Sequence, residues 1–187
     1  MAFLLDLWLP IVAAAVLVFV ASSVLHMLIP IHRNDYSKIP GEDEVLDAMR
    51  KANIGRGNYM FPFASCMKDM QSEEITAKLN SGPVGFMTVL PPGPMQMGKS
   101  LGQWFLFTIG VSVLIAYATS LVFEAGADYR QIFRFTATLG FLGYSFGYVQ
   151  DAIWKGQRWS VVMKFMFDGL VYALVTAGTF GWLWPEA

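Results

Sequence analysis

Apolar residues collect in four long runs along this chain, roughly Leu7 to Ile29, Leu101 to Phe123, Ile132 to Ile153 and Val161 to Trp184. At about 1.5 Å per helical residue, each can cross a hydrocarbon core of about 30 Å. The pattern predicts an all-α membrane protein, a single membrane domain over 1–187 with four transmembrane helices. Residues 30–100 separate the first two runs as a long, irregular cytoplasmic loop. The last three runs are joined by the short segments Glu124 to Tyr129 and Gly156 to Ser160, so they should be antiparallel neighbours.

Polar and breaking residues divide the long loop. Pro30 cannot donate a backbone hydrogen bond and should stop or bend the first span. Glu42 to Asn53 reads as a short helix, with Glu42, Asp43 and Glu44 first and Arg50 and Lys51 last, the order that suits the helix dipole. Gly55 and Gly57 should end it. Tyr59, Phe61 and Phe63 alternate within Asn58 to Ala64, read as a loop packed on the membrane surface. Ser72 to Asn80 is a second short helix with Ser72 as N-cap. Pro83 to Met97 carries no charge and is dense in Pro and Gly, which excludes a continuous helix. Val84 to Leu90 could be a short strand, and 83–97 is expected to lie at the interface rather than re-enter the bilayer.

Composition agrees with a membrane location. The chain is 55% hydrophobic and only 14% charged, against about 25% charged in an ordinary soluble domain. Mean hydropathy is +0.47. A net charge of −1 offers no basic surface for nucleic acid. The single cysteine, Cys66, excludes an internal disulfide and a CxxC motif. No Lys or Arg precedes the first run, which is too long for a signal-peptide core, so it is expected to be retained as a span.

Lys and Arg are distributed unevenly. Arg33, Lys38, Arg50, Lys51, Arg56, Lys68, Lys78 and Lys99 fall between the first two runs, and Lys155, Arg158 and Lys164 near the junction of the last two. Only Arg130 and Arg134 lie on the other side. The positive-inside rule then puts loop 30–100 in the cytoplasm and both termini outside.

Small residues recur at helical spacing. Gly140, Gly143 and Gly147 lie in the third run, Ser112, Ala116 and Ser120 in the second, and Ala173, Ala177 and Gly181 in the fourth. Such faces let membrane helices approach closely, within one chain or against another subunit.

Few residues invite chemistry. Asp168 lies about two turns into the fourth run, where an acid is costly and faces protein or water. Lys164, four residues earlier, is the expected partner, and Asp151 with Lys155 repeats the spacing. These read as interfacial ion pairs, or as a proton or cation path with Glu124 as the acid at the far side. His26 and His32 are weak cofactor candidates for haem or copper, but their spacing matches no ligand motif. Cys66, Met67 and Met70 offer soft ligands, although methionine is also ordinary apolar filler. No phosphate loop, nucleophile elbow or zinc helix is present, so no catalytic residue, cofactor or metal is assigned.

The segments Ala152-Ile153-Trp154-Lys155-Gly156-Gln157-Arg158-Trp159, Phe167-Asp168-Gly169-Leu170-Val171-Tyr172 and Phe180-Gly181-Trp182-Leu183-Trp184-Pro185 resemble bacterial multi-pass membrane proteins of no assigned activity. The stretch His26 to Pro40 fits the same group. The resemblance implies a bacterial inner-membrane protein and transfers no functional residue.

The leading expectation is therefore a non-catalytic accessory subunit of a larger membrane assembly, respiratory or transport, whose partners are the lipid bilayer and other membrane subunits or itself. A small homo-oligomeric transporter using Asp168 and Asp151 is the second reading. A haem- or copper-binding redox protein using His26 and His32 is the third.

Overall fold

A computed structural model describes residues 3–187. They are mostly helical, and three helices are long and apolar enough to cross a membrane. In chain order, the elements are α1 (Phe3–Asp6), α2 (Trp8–Ser23), a π-helical turn (Val24–Leu28), a 3-10 turn (Pro30–His32), α3 (Glu42–Lys51), β1 (Gly57–Phe61), α4 (Met67–Met70), α5 (Glu73–Ser81), β2 (Gly85–Val89), α6 (Met97–Ser120), α7 (Tyr129–Ser145), α8 (Gly147–Lys155) and α9 (Trp159–Trp182). The helices of spanning length are α2 continued through the π turn to Leu28, α6 and α9.

The stretch expected as a third span is divided. α7 stops at Ser145, Phe146 forms a turn, and α8 restarts at Gly147. The interruption falls where the sequence has Gly143, Ser145 and Gly147, residues that favour the helix weakly.

The described chain forms two compact units, one of residues up to Asp35 with Gln96–Ala187, the other Tyr36–Met95. In the first, α2 packs against both α6 and α9, and α7 lies along α9. Each helix buries one face. On α6 it is Thr108, Val111, Ser112, Ile115, Ala116 and Thr119, the i, i+3, i+4 pattern of a single stripe. The opposite faces carry exposed Leu106, Leu114 and Leu121. Lipid tails are as apolar as leucine, so outward leucines cost nothing in a bilayer and close packing must hold the helices together.

That packing is tightest between α7 and α9. A Cβ added to Gly169 would lie 2.1 Å from Ser145 Oγ and 3.0 Å from the Tyr144 backbone. One added to Gly140 would lie 3.1 Å from Ala173 Cα, and one at Gly181 2.7 Å from the Tyr129 ring. Polar side chains tie further pairs: Trp104 Nε1 donates to Ser22 Oγ at 2.8 Å, linking α6 to α2. Buried Thr119 and Thr136 return their hydroxyls to the carbonyls four residues back, both at 2.7 Å, so they carry no unmet donor into the core.

The Tyr36–Met95 unit is more ordered than an irregular loop. α3 and α5 are the two expected short helices, and Ser72 caps α5 by accepting from Ile75 N at 3.3 Å. α3 ends through Asn53 in the left-handed region (φ 52°) rather than at Gly55 or Gly57. Asn58 to Ala64 is not a surface loop over its first half. β1 pairs antiparallel with β2, Tyr59 opposite Met87 and Phe61 opposite Gly85. Large apolar side chains stay exposed in this unit, among them Phe63, Met67, Val84, Phe86, Leu90 and Met95.

Candidate functional site

The end of the first span builds the site. Pro30 has no N–H to offer the carbonyl of His26, so the regular α pattern cannot continue there. The backbone answers with a wider turn over Val24–Leu28, and Ile29 N reaches back to Val24 O at 3.2 Å, five residues away. Such π turns shift the register of the side chains that follow and recur at functional sites. The 3-10 turn Pro30–His32 comes next, and Asp35 N closes on His32 O at 3.2 Å.

The two turns bring both histidines to α9. His32 Nε2 lies 2.8 Å from Asp168 Oδ2, and His32 Nδ1 lies 2.6 Å from Asp35 Oδ2. His26 Nε2 lies 3.5 Å from the same Asp168 oxygen. The imidazole rings stack with centroids 4.5 Å apart, and Phe165 packs against His32 at 5.1 Å. Asp168 is 1% exposed, and its Oδ1 has no hydrogen-bond partner among the described residues. Both histidines and the acid therefore belong to one cluster, on elements separated by more than a hundred residues.

Lys164 does not pair with Asp168, as the i, i+4 spacing suggests. Its Nζ meets Asp35 Oδ1 at 2.6 Å. Arg158 Nη2 donates to the carbonyls of Asn34 and Asp35 at 3.1 and 3.0 Å. The start of α9 thus clamps the segment 32–35, and Asp35 holds His32 from its other side. Burial works against the charged form of Asp35. Hydrogen bonds from Lys164 and His32 outweigh it and hold this carboxyl below the usual carboxylate range. Asp151 and Lys155 do pair, at 2.6 Å, on an exposed turn of α8.

A groove of about 770 Å3 opens beside the cluster, within the range of small-molecule sites. His26 and Asp168 line it together with Trp104, Phe107, Tyr144 and Tyr172. These four aromatic rings form a continuous wall, Trp104 to Tyr172 at 5.8 Å, Tyr172 to Tyr144 at 5.6 Å and Tyr144 to Phe107 at 6.1 Å. The Tyr172 hydroxyl is buried without a hydrogen-bond partner among the described residues, and that of Tyr144 is buried beside the hydroxyls of Thr176 and Ser112. Gly143, Gly147 and Asp151 lie along the same groove.

No protein family, curated protein or solved structure matches the chain. The site therefore stands on its own geometry.

The other candidate residues lie elsewhere. Gly140 sits against Ala173, and a Cβ added to Gly143 would lie 3.4 Å from Val111 Cγ1. A Cβ at Gly147 would meet nothing within 4 Å, so this glycine opens the groove rather than packing a helix. Ser112 and Ala116 are fully buried on α6, while Ser120 returns its hydroxyl to Tyr117 O at 2.8 Å. Glu124 lies in the α6–α7 connection, where its carbonyl accepts from Trp184 Nε1 at 2.9 Å. Cys66 is exposed, immediately before α4 with Met67 and Met70. Sequence reasoning missed Asp35 and the groove aromatics. The density of polar residues around Ile31 to Asp35, just past a proline, was the available signal for Asp35.

Proposed function

We propose that this is a four-span protein of the bacterial inner membrane that holds one amphipathic bilayer molecule in the groove beside Asp168. Seventeen-residue α7 covers about 26 Å, nearly a bilayer core, and α8 can extend it to the surface. With α7 as the fourth crossing, positive-inside counting puts the groove at the cytoplasmic end of the bundle and both termini outside.

The observation that carries the reading is the lining. An apolar, aromatic wall ends at the buried Tyr172 hydroxyl and at Asp168, whose Oδ1 has no partner among the described residues. Unmet buried polar atoms are costly, and a ligand headgroup or ordered water would satisfy them. The tyrosine hydroxyl can donate or accept while Asp168 Oδ1 accepts, so the fitting headgroup carries a hydrogen-bond donor such as a hydroxyl or an amine. The tail would lie along Trp104 and Phe107.

The test is the composition of molecules retained by protein purified from its own membranes in mild detergent. One species enriched well above its share of the bulk membrane is expected. A retained mixture that mirrors bulk lipid would remove the proposal.

A second reading is favoured by the Tyr36–Met95 unit, whose exposed Phe63, Phe86 and Leu90 suit burial against a partner subunit. An accessory subunit would co-migrate at fixed stoichiometry with other chains on a native gel. Migration alone would argue against it. Transport through Asp168 and Asp151 draws less support, since Asp151 is already paired with Lys155 near the surface.

A further inference from the structure

We propose that His26, His32 and Asp168 bind one divalent first-row transition-metal ion, such as Zn2+ or Fe2+, with Asp35 holding His32 in position. The inference uses the same cluster as the groove reading but does not require a ligand in the groove.

His32 makes the first argument. Each of its ring nitrogens faces a carboxylate, Nδ1 at 2.6 Å from Asp35 and Nε2 at 2.8 Å from Asp168. A neutral imidazole has one N–H. With that proton directed to Asp35, Nε2 presents a lone pair to an oxygen lone pair, and a cation must lie between them. The cation is either a second proton or a metal ion.

His26 separates the two. A proton bridging His32 and Asp168 needs only those two atoms. Yet His26 Nε2 also converges on the same oxygen, at 3.5 Å, too far for a good hydrogen bond. The three donor atoms lie within 4.8 Å of one another. An ion about 2.0–2.1 Å from each donor places them about 2.9 to 3.4 Å apart, depending on whether the angles are octahedral or tetrahedral. The observed 2.8 and 3.5 Å bracket that range. A second imidazolium stacked at 4.5 Å on the first would instead set like charges face to face.

The donor set is also chemically apt. Two imidazoles and one carboxylate on one side of an ion leave further positions open, as in zinc hydrolytic and non-haem iron sites. Asp35 accepting from Nδ1–H of His32 is the outer carboxylate that fixes the tautomer of a ligating histidine. His26 and Asp168 both line the groove, so the open positions would face it.

The test is metal binding by the full-length protein in detergent, in a Cys66→Ser background so that the lone thiol does not contribute. The protein is stripped with chelator, loaded with Zn2+, and its metal counted by mass spectrometry. Co2+ loading adds an absorption spectrum that reports nitrogen and oxygen ligation. One ion per chain is expected. His26→Gln should weaken binding at least tenfold, and this variant should fold, because the His26 side chain is 41% exposed. Asp168→Asn should abolish binding, and Asp35→Asn should weaken it about 10- to 100-fold. Less than a tenth of an ion per chain, or full binding retained in folded His26→Gln, would overturn the assignment and leave a proton between His32 and Asp168.

Discussion

His32 and Asp168, 136 residues apart in the chain, meet at 2.8 Å. The contact joins the end of the first span to the third turn of α9, and the π turn before Pro30 makes it possible. Asp35 and Lys164 brace it from the side at 2.6 Å. His26 and Asp168 thereby line the groove together.

The Lys164–Asp35 pair should matter to stability far more than its neighbour on α8. The Asp35 side chain is 3% exposed, so Lys164→Met leaves a buried carboxylate short of its main counter-charge. We expect a loss of roughly 3 kcal/mol, as for other half-broken buried pairs. Lys155→Met, at an exposed pair, should cost less than about 1 kcal/mol. Thermal unfolding of both variants in one detergent checks the contrast.

Two glycines of α9 should respond in opposite ways to alanine. At Gly169 the new Cβ meets Ser145 and the α7 backbone, so α7 and α9 must separate. Gly169→Ala should destabilise by about 1–3 kcal/mol. At Gly178 nothing lies within 4 Å, and Gly178→Ala should be neutral or stabilise by up to about 1 kcal/mol through helix propensity. Equal melting temperatures for the two variants would contradict the packing described.

The Trp104–Ser22 hydrogen bond is a smaller link between α6 and α2. Trp104→Phe keeps an aromatic ring but leaves the buried Ser22 without its donor. A loss of about 1 kcal/mol is expected. Ser22→Ala should lose a similar amount, and the double variant should lose less than the sum, which a double-mutant cycle in detergent measures.

Much of the helical frame was legible because apolar length is a one-dimensional signal. The first, second and fourth runs correspond to helices, with ends shifted by a few residues, and Ser72 caps α5 where its position suggested. The third run failed as one helix because hydropathy does not register the local weakness around Phe146. Tyr59, Phe61 and Phe63 alternate with period two, which is a strand signal, and reading them as a loop ignored it. The site itself was not legible. Lys164 and Asp168 have helix-pair spacing, yet each finds a better partner on the 26–35 segment. No periodicity predicts a contact between residues 32 and 168, and His26 and His32 look unrelated until the turn at Pro30 stacks their rings.

Gly147 offers the most direct test of the groove. A Cβ there enters open space, so Gly147→Leu should fold normally while its side chain fills the cavity. The measurement is native mass spectrometry of wild type and Gly147→Leu, both purified from their own membranes. The account predicts one adduct of constant mass on the wild-type chain that survives delipidation and is lost from the variant. A bare wild-type chain, or an adduct unchanged by Gly147→Leu, would contradict it.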